Sequence, residues 1–486
     1  MTATALRTPK RAMPRRWVLV DRPSAEIEPL HDHELIHTLL VNRGFRRRVD
    51  ANVFLDHEVR ALPDAGLLPD IEAAVERIER AVRDGETIAV FGDYDVDGIT
   101  SVAMMSLALQ DVVADPAKLL VRLPTRSEGY GLNKTALEEF GAAGVNLLIT
   151  VDCASTDEKG VALARSLGMD VIIIDHHHMS STGPDGAITI SPSRPDGGHY
   201  REMSAAGLTL LVVSALQRIP AFAAFRERGG ADQFLDLAAL GLVADISPLT
   251  GHNRQIVREG IRQMRRNPRL GLKALCAVAT IDLGTVNSTN IGYGIAPRLN
   301  AAGRMGDPRA ALDLLIATDS SAAQTLAVEL DHLNVQRRAE TDQVMNEVLE
   351  RLANTLGLDS TPILIERRSA GELGVLGLAA GKLVELLGRP VILLREDGDR
   401  FRFVSVRSGF HIADARCTDM PDCSSDMVGT ARRREALRRE GGRSAARGVG
   451  QRPGYSDAGF AFELELRIEP AVPRRMTSHS DPPARS

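Results

Sequence analysis

Three aspartates alternate in Gly92-Asp-Tyr-Asp-Val-Asp-Gly98, and two later segments, Val151-Asp152-Cys153 and Ile174-Asp175-His176-His177, again end an apolar run in an acid. One Asp/Gly-rich turn is ordinary, because these residues adopt turn backbones easily. Three acidic run-ends in succession, with Asp245 closing a further apolar segment, call for another explanation. Brought together, Asp93, Asp95, Asp97, Asp152 and Asp245 would repel one another unless cations sat among them. Carboxylate oxygens suit hard divalent ions such as Mg2+, and the imidazole of His176 tilts the choice toward Mn2+. Two such ions about 3.5–4 Å apart clamp the attacking and leaving oxygens of a displacement at phosphorus. The expected chemistry is therefore hydrolysis of a phosphodiester, with Arg or His on its non-bridging oxygens. Cys153 reads as a small buried residue and His178 as a flanking one; neither is assigned a role.

Elements that could position these acids follow from periodicity. Ile71, Ala74, Val75, Ile78 and Val82 recur at helical spacing, with Gly85 as a stop. Short apolar runs at 87–91, 119–123, 146–152 and 170–175 read as strands, and 99–113 and 157–167 as helices between them. Strands alternating with helices predict an α/β fold, a parallel sheet with helices on both faces. Ligands of such sheets bind at the carboxyl ends of the strands, where the acids fall. A helix over 233–246 carries Asp245. A second, smaller α/β unit follows a long helix at 320–356, with strands at 362–366, 390–394 and 401–406 and a helix at 375–387.

The 486 residues suggest two or three domains, and 44% hydrophobic with 4% aromatic content suits a globular chain. No apolar run reaches the length needed to span a bilayer, and no membrane is expected among the partners. The basic stretch 1–16 lacks the apolar core of a secretion signal and reads as a disordered leader. Cys153, Cys276, Cys417 and Cys423 show no metal-type pairing and point to a reducing, cytoplasmic setting. A net charge of −5 does not exclude nucleic acid, because a local basic groove suffices. From about residue 415 the character changes: 431–448 holds seven Arg against two Glu, as expected of a disordered tail.

The ordered motifs resemble the DHH phosphoesterase superfamily. Asp175-His176-His177 is its namesake, and 92–98, 151–153 and Gly241-Leu-Val-Ala-Asp245 are similar to its other motifs in order and spacing. Further blocks resemble the RecJ-like single-strand-specific exonucleases within it. They are Pro124-Thr-Arg126 with Glu128-Gly-Tyr-Gly-Leu132, the run 249–254, the long block 297–307, Asp331-His-Leu-Asn334 with Arg337-Arg338, and 374–381 followed by Gly388-Arg-Pro390. The likeness covers roughly 35–414.

The resemblance implies a single-stranded-DNA-specific 5′→3′ exonuclease of DNA repair and recombination, working with two divalent metal ions, Mn2+ or Mg2+. It implies Asp95, Asp97, Asp152, His176 and Asp245 as metal ligands, Asp152 bridging, with Asp93 a ligand or close support. His177 would contact the scissile phosphate and Asp175 orient its neighbours. Arg126, Arg298, Asn300, Arg304, Ser405 and Arg407 would hold the strand, and Tyr130 would stack on a base. The implied domains are a catalytic domain with N-terminal extension at 17–310, a linking helix at 311–356, an incomplete nucleic-acid-binding domain at 357–414 and a divergent tail at 415–486. Single-stranded DNA, a helicase and a single-strand-binding protein are the implied partners. Phe91 stands where some members carry a His, and the Gly-Gly-His block expected after 409–414 is missing. Either the end has diverged or the reading frame shifts near 415; the abrupt Arg-rich composition favours the second. Two other functions stay open: a phosphodiesterase for short oligonucleotides or cyclic dinucleotides, and a catalytically silent scaffold.

Overall fold

A computed structural model of the chain describes residues 27–55, 62–353, 363–368, 373–397 and 400–407. They fall into two compact units that divide between Asp342 and Gln343. The larger unit begins with helices α1 (Glu34–Asn42), α2 (Arg48–Leu55) and α3 (Ile71–Arg83). A five-stranded sheet follows: β1 (Ile88–Gly92), β2 (Leu119–Arg122), β3 (Leu147–Val151), β4 (Asp170–Ile174) and β5 (Ala187–Ile190). Helices α4 (Val96–Gln110), α5 (Lys134–Ala142) and α6 (Glu158–Ser166) lie between the first four strands in sequence.

All five strands pair in parallel, in the order β2-β1-β3-β4-β5. The chain therefore leaves β1 toward one edge and returns to β3 on its other side. Between β1 and β3 the connections run to opposite faces, which opens a crevice at their carboxyl ends. Each strand is a short apolar run because both faces are covered. Ile88, Val90, Ile149 and Ile174 join one core with α3 and α4, while Ala89, Phe91, Leu148 and Ile173 join a second core under α5 and α6.

The rest of the unit is helical: α7 (Ala205–Leu216), α8 (Ala223–Glu227), α9 (Leu235–Ala244), α10 (Gly251–Arg266), α11 (Leu270–Val278) and α12 (Ser288–Asn290). A π-helical turn, Ile291–Ile295, leads into α13 (Ala296–Met305), α14 (Arg309–Ile316) and the long α15 (Ser320–Ala353), which crosses the division between the units. Helices α4, α7 and α9 are apolar nearly all round because they fill the large core. The smaller unit adds β6 (Leu364–Arg368), α16 (Leu373–Leu387), β7 (Val391–Asp397) and β8 (Arg400–Arg407). There β6 and β7 run parallel and β8 antiparallel to β7.

The expected α/β class, with a parallel sheet and helices on both faces, is what the structure has. Three details differ. Strand β5 has no counterpart in the sequence reading; four residues are too few for alternation to stand out, and no helix separates it from β4. Helix α4 starts at Val96 instead of 99, because the Asp95 carboxylate caps it by accepting from Asp97 N and Gly98 N. Helix α9 stops at Ala244, so Asp245 is its terminal cap and not part of its body. The leader 1–16 and all residues after β8, 408–486, including the divergent tail, fall outside the described residues. No single helix among the described residues is long and apolar enough to cross a membrane.

Candidate metal centre

The crevice at the ends of β1 and β3 collects the acids. Asp93 leaves β1 and is buried; Asp95 caps α4, and Asp97 sits on its first turn, also buried. The loop closes tightly around Gly98, where a Cβ would come within 2.6 Å of the Asp93 carbonyl oxygen. Asp152 ends β3 with φ 62, a left-handed backbone that side chains rarely adopt, and Ala154 follows with φ 77. Such strain persists where the surrounding structure fixes it, often at functional sites. Here the Asp152 amide donates to Ile174 of β4 at 2.9 Å, holding the turn.

Two trios of potential ligands form side by side. Asp93, Asp95 and Asp152 offer oxygens within 4.8 Å of one another, and so do Asp97, His176 and Asp245 in a nitrogen-containing set. The trios touch: His176 Nε2 is 3.3 Å from Asp152 Oδ1 and 3.8 Å from Asp97 Oδ2, while its Nδ1 is 3.8 Å from Asp245 Oδ2. Asp93 Oδ1 and Asp152 Oδ1 are buried with no hydrogen-bond partner. Burial and the neighbouring acids push Asp93 and Asp245 up to about 8, and Asp152 well above the carboxylate range. Buried, orphaned and like-charged oxygens are what a divalent cation would satisfy.

Asp97 has a second task. Its carboxylate accepts from Ser204 Oγ at 2.7 Å, Ala205 N at 2.8 Å and Ala206 N at 3.0 Å, so it caps the start of α7. Burial raises its pKa, while His176 and these donors pull against that rise. Asp175 differs in kind. Its oxygens accept from Ser155 N, His176 N, His177 N and the His177 ring, which leaves it saturated. Burial alone would raise it, but the His177 hydrogen bond and charge outweigh that and hold it well below the usual range. Asp175 thus orients the two histidines, although its atoms also lie close to theirs.

His177 Nδ1 lies 2.7 Å from Asp175 Oδ1 and 3.2 Å from the Tyr130 hydroxyl, which also donates to the Asp152 carbonyl at 3.2 Å. Burial would depress His177, yet Asp175 lifts it to about 9. With Nδ1 engaged, Nε2 is the nitrogen left to meet a ligand. The ring of Tyr130, expected to stack on a base, is edge-on to His177 at 5.6 Å, and its hydroxyl is engaged within the site. It is still half exposed.

The arginines divide into two groups. Arg126 lies 4.1 Å above the Tyr94 ring and donates to the Gly303 carbonyl, beside Asp93 and Asp95. Arg304, partly buried, is pushed down to about 10 by burial and by the charges of Arg126 and Arg337. Arg298 is tied to Asp331 at 2.8 Å and to the Gly294 carbonyl at 2.7 Å. Asn300 Oδ1 accepts from Val96 N, so it secures the start of α4. Ser405 and Arg407 lie on β8, in register with Leu393 and Val391; their side chains fall outside the described residues.

Sequence reading missed Tyr94, Ser155 and Ser204. Ser204 was visible as a cap before an apolar helix, but its partner Asp97, 107 positions away, was not. Tyr94 lay in plain view between two acids and lacked any signal of the arginine that stacks on it.

Comparison with known proteins agrees with this geometry. Residues 87–242 match the model of the DHH family, N-terminal domain. The chain is 34% identical over 412 residues to the single-stranded-DNA-specific exonuclease RecJ of Dickeya dadantii, covering 81% of this chain and 70% of that protein. It belongs to the RecJ family. The RecJ of Bacillus subtilis is 35% identical over 78% of this chain, and there the match spans only 47% of the relative, about half its length. In structure, RecJ of Thermus thermophilus in complex with Mn2+ superposes with a TM-score of 0.63 at 28% identity, over 78% of this chain and 52% of that one. A second RecJ structure, bound to manganese, gives 0.61 at 29% identity over 72% of this chain and 84% of that one.

Proposed function

We propose that the chain is a metal-dependent exodeoxyribonuclease that hydrolyses single-stranded DNA in the 5′→3′ direction. The observation that carries this is the pair of touching ligand trios, in which buried Asp93 and Asp152 each leave an oxygen unsatisfied. The residues present suit two divalent cations, Mn2+ or Mg2+, which Asp93, Asp95, Asp97, Asp152, His176 and Asp245 would hold. When bound, the ions supply an acidified water and neutralise charge developing on phosphate oxygens. His177, held through Nδ1 by Asp175 and Tyr130, would present Nε2 to the scissile phosphate. Arg126 and Arg304 place further positive charge beside the acid loop, where the next phosphate of a strand would run. Arg298 and Asn300 support that grip indirectly, by anchoring α13 and α4.

In this reading 17–310 is the catalytic domain, 311–356 the linker and 357–414 part of a second nucleic-acid-binding domain, with Ser405 and Arg407 on β8 contacting the 5′ end. The polarity, a role in repair and recombination, a cytoplasmic setting, and partnership with a helicase and a single-strand-binding protein belong to the same proposal; the names of the relatives support its substrate, single-stranded DNA. The buried free thiols of Cys153 and Cys276 are compatible with that setting.

The test is release of nucleotides from a long 5′-labelled single strand with Mn2+, beside a dinucleotide substrate. Degradation of the long strand, abolished by Asp152→Ala, is expected. Preference for the dinucleotide would make the chain a short-oligonucleotide phosphodiesterase instead, and no hydrolysis of either would make it a scaffold.

A further inference from the structure

Two exposed apolar side chains beside the metal centre have no part in the chemistry above. Ile246 follows Asp245 directly, is 64% exposed and has φ 60. It closes α9 through Ile246 N to Val243 O and Ser247 N to Leu242 O, a closure that usually recruits glycine at the left-handed position. A β-branched residue there is strained, so some benefit of its side chain must outweigh that strain. Tyr293 is 78% exposed, more than any other large apolar or aromatic side chain among the described residues. It sits in the π-helical turn Ile291–Ile295 between two glycines. Turns of this kind recur at functional sites.

The two residues share a neighbour. Val243, whose carbonyl accepts from Ile246, also backs Gly292, where an added Cβ would lie 3.7 Å from its Cγ1. A Cβ on Gly294 would come within 2.6 Å of Ile281 Cδ1, so the turn is pressed onto the protein on both sides of Tyr293. Arg298 holds the same turn by donating to the Gly294 carbonyl. Tyr293 is therefore presented from a fixed backbone, next to the α9 terminus that carries Asp245, whose carboxylate reaches His176.

We propose that Tyr293 and Ile246 form a platform on which a nucleobase of the bound single strand packs, on the Asp245 side of the metal centre. This rests on the single-strand reading above. A phosphodiester seated at the centre has bases attached on either side, and every base offers a flat apolar face. Packing against Tyr and Ile would hold a strand without reading its sequence. Tyr130, the half-exposed aromatic on the His177 side, is engaged through its hydroxyl, whereas Tyr293 is more exposed and stands on the Asp245 side.

The test compares full-length parent, Tyr293→Ala, Tyr293→Phe and Ile246→Gly on an oligodeoxythymidylate and on a strand of equal length with abasic sites through its 5′ portion. Degradation with Mn2+ is the first readout, and the second is quenching of a 2-aminopurine base on binding in EDTA. Tyr293→Ala is expected to raise KM about tenfold on the base-bearing strand and to lose the quenching, with Tyr293→Phe close to the parent. The parent should lose a similar factor on the abasic strand, so that parent and alanine variant converge there. Ile246→Gly should melt at a higher temperature while binding the base-bearing strand several-fold more weakly. Equal KM values for parent and Tyr293→Ala on the base-bearing strand would overturn the platform and leave the nuclease reading standing. An equal loss on both strands would assign Tyr293 to upkeep of the turn and overturn it as well. A parent that degrades neither strand would remove the nuclease reading and the platform together.

Discussion

The carboxylate floor of the crevice and the arginine-bearing helix α13 carry opposite charges and solve their electrostatics in opposite ways. On the floor, Asp93 and Asp152 are buried with oxygens that nothing in the protein satisfies, and their neighbours are also acids. On α13, Arg298 is matched to Asp331 and a carbonyl, and Asn300 to the backbone of α4. A region that leaves charge uncompensated is set up for an ion from solution, whereas one that compensates its charge internally is set up to hold shape. Residue type alone would have given both regions the same status, as substrate-binding polar groups.

The largest expected effect tests the floor. Asp97→Asn keeps the shape of the side chain but removes its charge and one accepting oxygen, and nucleotide release with Mn2+ should fall about a hundredfold. Activity within a few-fold of the parent would reduce Asp97 to the cap of α7 that it also is.

A second test uses metal and pH. In metal-free protein the folded pKa values of Asp93, Asp152 and Asp245 lie above those of the unfolded chain. The folded state then binds more protons, so these groups lower stability as pH rises from the ordinary carboxylate value near 4 to about 8. Mn2+ displaces those protons and removes the repulsion. The melting temperature should therefore rise more on adding Mn2+ at pH 8, where a thousandfold excess over Kd is worth about 4 kcal/mol of stability, than at pH 5. Equal shifts at both pH values would count against the raised carboxylates as the ligands.

The smallest effects separate two arginines of one helix. Arg304→Ala should raise KM for single-stranded DNA about tenfold, with the larger effect on KM and the smaller on the urea midpoint, as expected for a phosphate contact. Arg298→Ala should do the reverse, lowering stability by about 1.5–3 kcal/mol through loss of its pair with Asp331 while KM stays within a few-fold. Exchange of the two phenotypes would invert the division drawn on α13.

Much of the site could be read from local pattern. Each acid follows an apolar run, and in a parallel sheet every run ends on the same side, so period and order were enough to predict that Asp93, Asp152 and Asp175 would meet. What local pattern could not separate were residues of one type with different tasks. Asp152 and Asp175 read alike, yet one holds an orphaned oxygen and the other accepts four hydrogen bonds. Tyr130 read as a stacking residue, and local pattern gave no sign that its hydroxyl would also lie 3.2 Å from His177 Nδ1.

The sequence by itself determined the class of chemistry, because carboxylates and imidazole at successive strand ends limit what can bind there, and strand polarity is a local property. The tertiary structure alone decided which side chains are left unsatisfied. That depends on partners distant in sequence, such as Ser204 for Asp97, Val96 for Asn300 and Asp331 for Arg298. Hydrogen bonds and ion pairs act over a few ångströms, and only packing of the helices against the sheet sets which groups come that close.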